Sequence, residues 1–125
     1  EAGQGGAGNT VDLFHRPDDK GGRTGIGTTH HVAWRVVDDR AQQGLRAELL
    51  ECGYDVSEVL DRTYFRSIYF REPGGVLFEA ATDPPGFDAD EERDRLGSEL
   101  RLPAWLEPRR GEIEEALPPV VDPSR

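Results

Sequence analysis

The chain has 125 residues, with 25 acidic against 15 basic side chains and a formal net charge of −10 at pH 7. That length supports about one domain with a modest core, and the negative field disfavours nucleic acid and anionic membrane surfaces as partners. Hydrophobic residues make up only 35%, while Gly and Pro number 15 and 9, so part of the chain is expected to be loop or tail.

Cys52 is the single cysteine, which excludes an intrachain disulfide and a cysteine-based structural zinc and fits a reducing compartment. No apolar run approaches the ~20 residues that span a bilayer, and the opening EAGQGGAG has neither a basic nor an apolar signal region. A soluble, cytoplasmic protein is expected. The chain opens on Glu1 rather than Met, so it is read as a possible fragment of something longer.

In chain order, residues 1–9 form a Gly-rich leader without a phosphate-loop pattern, residues 10–15 (TVDLFH) alternate like a short strand, and residues 16–27 are a turn-rich linker. Residues 28–37 (TTHHVAWRVV) predict a strand with His30, Val32, Trp34 and Val36 on one face and His31, Ala33 and Arg35 on the other. Asp38 and Asp39 can cap a helix whose apolar residues Ala41, Leu45, Leu49 and Cys52 recur at helical spacing, and Gly53 suits its left-handed end. Residues 54–60 and 63–71 read as two further strands, and Pro73, Gly74 and Gly75 turn the chain into a last strand over 76–82. The remainder, 88–125, is an acidic, proline-punctuated tail with helical pieces at 88–97 and 107–117. The domain reading is thus a leader and linker (1–27), a βαβββ module (28–87) and a tail (88–125). Four strands under one helix leave a sheet face and an edge open, which calls for a second module from a homodimer mate or an N-terminal portion.

Glu79 is the most informative position, because the strand VLFEAA is apolar on both faces except for this carboxylate. An unpaired buried carboxylate costs several kcal/mol, so a cation, an arginine or a proton must compensate. Parity sets Glu79 with Leu77 and Ala81, opposite Val76, Phe78 and Ala80. If the latter set packs under the helix, Glu79 and His31 converge on the open face, as two of the three ligands of a non-haem Fe(II) triad. A satisfied buried His/Glu pair explains the same two residues. An odd-length hairpin loop over 73–75 would set Tyr69 directly opposite Glu79. His15 reads as a loop residue, Arg66, Arg71 and the DADEERD run as solvated charges, and Trp34, Phe65, Phe70 and Phe78 as packing.

Two stretches, GIGTTHHVAWRV (25–36) and DRTYFRSIYFREPGGVLFEAATDPPGF (61–87), together with the LPAWLEPRRGEIEEALPP tail, resemble the C-terminal half of the hydroquinone ring-cleaving dioxygenases. These belong to the vicinal oxygen chelate superfamily, with the glyoxalases and bleomycin-resistance proteins. The resemblance implies an α+β fold, a βαβββ half-barrel sheet with one covering helix. It also implies metal ligation by His31 and Glu79, with His30, Arg62 and Tyr69 around substrate and dioxygen: His30 to take or return a substrate proton, Tyr69 to hydrogen-bond the oxygenated intermediate and Arg62 to hold developing negative charge. The implied activity is extradiol-type cleavage of a hydroquinone or catechol, a step in aromatic compound degradation, with Fe(II), or alternatively Mn(II), Zn(II) or Ni(II).

Full members of that family carry an N-terminal half whose histidine completes the ligand set, and this chain does not contain it. A homodimer sharing His31 and Glu79 would give a glyoxalase-like set suited to an isomerase or lyase. A domain that binds a small aromatic molecule without turnover is the third possibility.

Overall fold

The computed structural model describes residues 4–20 and 25–118. The chain forms two compact units that divide between Pro84 and Pro85. The first holds a four-stranded mixed sheet and one long helix in the order β1 (Val32–Arg35), α1 (Asp39–Glu51), β2 (Leu60–Asp61), β3 (Arg66–Arg71) and β4 (Leu77–Ala81). Across the sheet the order is β1-β4-β3-β2, with β1 parallel to β4 and the other pairs antiparallel. This is the α+β arrangement expected from the sequence. Among the described residues, both terminal strands of that order, β1 and β2, present a free edge.

Helix α1 begins where its sequence says it should: Asp38 is extended and its carboxylate accepts from the Ala41 amide at 2.7 Å. It ends through the Cys52 amide, which donates to Glu48 O at 2.9 Å, and Gly53, whose φ of +84° favours glycine. Its apolar stripe, Leu45 and Leu49, packs on a small core of Val56, Ile68 and Ala80, joined by Val36, Tyr54 and Phe70. Phe78 makes edge-to-face ring contacts with both Trp34 and Phe70, with centroids 5.8 Å apart in each pair.

Gln42 is the polar exception beneath the helix. It is 1% exposed, and its amide donates to Ala80 O at 2.8 Å and Arg66 O at 2.9 Å, pinning α1 across β3 and β4. Arg66, expected as a solvated charge, reaches Asp39 at 2.6 Å and ties the start of β3 to the first turn of the helix.

The strands are shorter than the sequence suggests, each for a local reason. Residues 28–31 lie outside the ladder, so β1 covers only four positions of the expected ten. The expected strand 54–60 is broken: Val56 makes an isolated bridge to Phe70, whereas Leu60 pairs with Ser67. Three residues, 57–59, therefore face two, 68 and 69, which is a bulge. The Ser57 hydroxyl fills the gap, accepting from the Tyr69 amide at 2.9 Å. Strand β3 begins at Arg66 rather than 63, because residues 62–65 form a tight turn in which Thr63 takes φ +71°. The short strand expected over 10–15 does not form: those residues are almost wholly exposed and join no ladder among the described residues. Residues 1–3 of the leader, 21–24 of the linker and 119–125 of the tail lie outside the described residues.

In the second unit, the helix expected over 88–97 is replaced by two single 3₁₀ turns, Phe87–Ala89 and Arg93–Arg95. The DADEERD run offers no apolar stripe for a longer helix to bury. Helix α2 (Arg110–Ala116) follows the 3₁₀ turn Glu107–Arg109 and matches the second expected piece in place. Among the described residues no helix is long and apolar enough to cross a membrane.

Candidate metal centre on the open sheet face

The hairpin between β3 and β4 determines what faces what. Arg71 pairs with Leu77, Glu72 N donates to Val76 O at 3.0 Å, and the three-residue loop 73–75 closes through Gly75 N to Glu72 O at 2.8 Å. Gly75 takes φ +93°, a conformation that disfavours side chains. The Glu72 carboxylate accepts from the Gly74 and Val76 amides, each at 2.8 Å, and stiffens the loop. The odd loop length sets Tyr69 directly opposite Glu79. Ile68, Phe70, Phe78 and Ala80 then point under α1, and Ser67, Tyr69 and Glu79 point to the uncovered face.

Glu79 is only 4% exposed. Its Oε1 accepts from the Tyr69 hydroxyl at 2.7 Å and from the Ser67 hydroxyl. Its Oε2 lies 2.8 Å from His31 Nε2. Ala33, the β1 residue paired with Glu79, carries only a methyl group, and His31 reaches the carboxylate from two residues earlier on the same face. A carboxylate only accepts, so Nε2 carries the His31 hydrogen here. His31 Nδ1 lies 2.8 Å from His30 Nδ1, and the two rings share a hydrogen bond.

Arg62 stands in the turn before β3, where its amide donates to Phe65 O at 2.9 Å, while its side chain runs back to the strand. Its Nε donates to the Tyr69 hydroxyl at 3.2 Å, and its guanidinium lies 5.4 Å from the Tyr69 ring centroid. The hydrogen bond to Tyr69 is the main reason the Arg62 pKa lies above its ordinary value, with a smaller contribution from the charge of Glu79.

All five residues singled out in the sequence, His30, His31, Arg62, Tyr69 and Glu79, thus fall in one hydrogen-bonded chain. His30 sits at its exposed rim. Ser67 is a sixth member that the sequence reading passed over. Its signal was present: it is the one small polar residue in the aromatic strand RSIYFR and shares the parity of Tyr69.

Among the described residues no group of three or more His, Cys, Asp or Glu side chains is placed to hold a metal ion. His31 and Glu79 are a pair of the right donor types, an imidazole and a buried carboxylate oxygen, here bonded directly to each other at 2.8 Å. A cavity of about 350 Å³ is lined by Asp55, Ser57, Tyr69, Phe70, Arg71 and Leu77, and shares Tyr69 with this cluster. A larger cavity, about 510 Å³, lies in the second unit and is walled mainly by charged side chains such as Asp88, Glu91, Arg93 and Arg101.

The chain is 48% identical over 112 residues to MhqO, a candidate ring-cleaving dioxygenase of Bacillus subtilis, a match that takes in 90% of this chain and 36% of the relative. It is 40% identical over 124 residues to the chlorohydroquinone/hydroquinone 1,2-dioxygenase of Sphingobium indicum, covering 97% of this chain and 37% of that one. The crystal structure of a candidate dioxygenase from Bacillus subtilis superposes with a TM-score of 0.74 at 50% identity, over 78% of this chain and 32% of the other. The chain therefore spans little more than a third of the length of the curated relatives it matches. The family model of the Glyoxalase/Bleomycin resistance protein/Dioxygenase superfamily matches residues 2–80, nearly all of the unit that carries the sheet, and the chain belongs to that superfamily.

Proposed function

We propose that this chain is the metal-holding module of a ring-cleaving dioxygenase acting on a hydroquinone or catechol, with His31 and Glu79 as ligands and Fe(II) as the ion. The observation that carries this reading is the convergence of His31 Nε2 and Glu79 Oε2 at 2.8 Å on an open sheet face, backed by Tyr69 and Arg62. The names of the relatives supply the reaction class. Two ligands leave a third to come from a second βαβββ module, supplied by a mate or by the part of the relatives that this chain does not span.

The bound ion would act as Lewis acid and template for the aromatic diol and dioxygen. The protein's part is derivable from its own atoms. With His31 Nε2 committed to an ion, the ring's hydrogen sits on Nδ1 and donates to His30 Nδ1. His30 then keeps its own hydrogen on Nε2, so in this tautomer it would offer the substrate side a hydrogen-bond donor rather than a base. Tyr69 has its hydroxyl hydrogen committed to Glu79 and receives one from Arg62, so the Arg62 charge is relayed to the edge of the site, where negative charge develops. The cavity beside Tyr69 falls within the ~300–1,000 Å³ of small-ligand sites, with Leu77 as an apolar wall and Arg71 at its margin.

Oxygen consumption by the anaerobically Fe(II)-loaded chain, with hydroquinone or catechol and with a second module supplied, tests the reading. Uptake that disappears in Glu79→Gln and His31→Ala is the expected result. Bound iron without uptake in the completed assembly overturns it. Metal-dependent turnover of a substrate without oxygen would instead favour the shared-site isomerase.

A further inference from the structure

Ser67 is fully buried in the middle of the sheet, paired on one side with Leu60 and on the other with Ala81. Its two neighbours are held fast: Arg66 O accepts from Gln42 and Ile68 fills the core. The hydroxyl therefore has little freedom, and it is spent on Glu79 Oε1, the same oxygen that accepts from Tyr69. With two hydroxyl donors on Oε1, that oxygen is saturated, and Oε2 alone is turned towards His31.

We propose that Ser67 is a positioning residue: its hydroxyl, acting with that of Tyr69, fixes the Glu79 carboxylate so that a single oxygen faces His31 and any ion held there. The statement about the ion rests on the function proposed above; the statement about Glu79 does not. A carboxylate free to rotate can offer both oxygens to a metal and fill a coordination position that substrate needs. One locked by two donors cannot.

The experiment compares the full chain with Ser67→Ala and with Ser67→Thr, which keeps the hydroxyl. The 15N resonance of His31 Nε2 is recorded in the metal-free protein, and the dissociation constant for Co(II) is measured by titration of its visible absorption. Groups that orient metal ligands typically contribute about 10- to 100-fold to metal affinity, and Ser67→Ala is expected to weaken Co(II) by that order. It should also move the His31 signal towards that of an unbonded imidazole, with the melting temperature little changed. Ser67→Thr should keep both properties near those of the parent.

An unchanged His31 signal together with unchanged Co(II) affinity in Ser67→Ala overturns the proposal. A melting temperature that falls as far in Ser67→Thr as in Ser67→Ala, with the His31 signal unmoved in both, reduces Ser67 to packing and overturns it too. A parent chain with no affinity for Co(II) even with the second module supplied, but a His31 signal that moves in Ser67→Ala, supports the positioning of Glu79 and refutes the metal reading alone.

Discussion

The two faces of the β3–β4 hairpin are built from alternate residues of the same two strands, yet they are held by different forces. Under α1, Ile68 and Ala80 are fully buried among aliphatic and aromatic neighbours, and the one polar intruder, Gln42, bonds to backbone carbonyls. On the other face, Ser67 and Glu79 are as deeply buried, but their neighbours are hydroxyls, an imidazole and a guanidinium. The first face makes the fold stable and fixes the register. The second uses that register to hold an acid where only specific donors, or an ion, can satisfy it.

The largest effect should come from the helix face. Ile68→Ala removes the central side chain of a very small core, and truncations of this kind cost about 2–5 kcal/mol. Urea unfolding is expected to show a loss of that size, enough to leave much of the chain unfolded at room temperature. A loss under ~1 kcal/mol, the scale of a tolerated volume-conserving swap, would mean that the polar face carries the fold.

The open face should behave in the opposite sense, with function lost and stability partly recoverable. Glu79→Leu strands the Ser67 and Tyr69 hydroxyls, at about 1–3 kcal/mol for unsatisfied buried donors. Removing the donors as well, in Glu79→Leu/Ser67→Ala/Tyr69→Phe, should return most of that loss, because replacing both partners by apolar groups is close to neutral. Both variants are expected to lose metal binding. Thermal unfolding and Co(II) titration on the same samples check the two claims separately, and a triple variant less stable than the single one would break the contrast.

Gln42→Ala tests the one polar clamp of the helix face. Two hydrogen bonds, at ~0.5–1.5 kcal/mol each, set the expected loss at about 1–3 kcal/mol. The Gln42 oxygen, buried without a partner, offsets part of it. Hydrogen exchange at β3 and β4 amides should rise with it. Thr63, near the other face, is expected to respond in the stabilising direction: a β-branched residue at φ +71° carries roughly 1–2 kcal/mol of backbone strain. Thr63→Asn, better tolerated in that conformation, should raise the denaturation midpoint while keeping the amide contact to Asp61.

What was legible in the sequence follows the same division. Parity along VLFEAA and the odd loop at 73–75 sufficed to place Glu79 opposite Tyr69, because an apolar strand with one acid has few ways to satisfy it. The paired histidines gave His31 its side of the sheet by the same alternation. The bulge at 57–59 was not legible: nothing in YDVSEVL marks one extra residue, and its stabilisation by the Ser57 hydroxyl is a tertiary contact. Nor did the strand over 10–15 form, since alternation without a partner strand is not structure. Ser67 was overlooked because a serine among aromatics reads as a gap in a pattern until its hydroxyl has something to meet.

The smallest expected effect lies in the second unit and contrasts an exposed acid with the buried one. Glu107 accepts from Arg110 at 2.7 and 2.9 Å, and this hydrogen bond is the main reason its pKa lies below the ordinary carboxylate value. Arg110, bonded also to Glu114 and to Leu100 O, is correspondingly raised. A lowered acid contributes stability above its unfolded value, ~4.3 for glutamate, and loses it as the pH falls through the folded value. Helix α2, seven residues long and marginal by itself, should therefore loosen below about pH 4, while neutral and mildly alkaline solutions leave it unchanged. Amide chemical shifts of residues 110–116 across an acid titration report this directly, and Arg110→Gln should flatten the response. A helix that holds its shifts to pH 2 in the parent chain would show that the pairs at Arg110 are as inconsequential as most exposed ion pairs, in contrast to the hydrogen-bonded acid buried at the sheet.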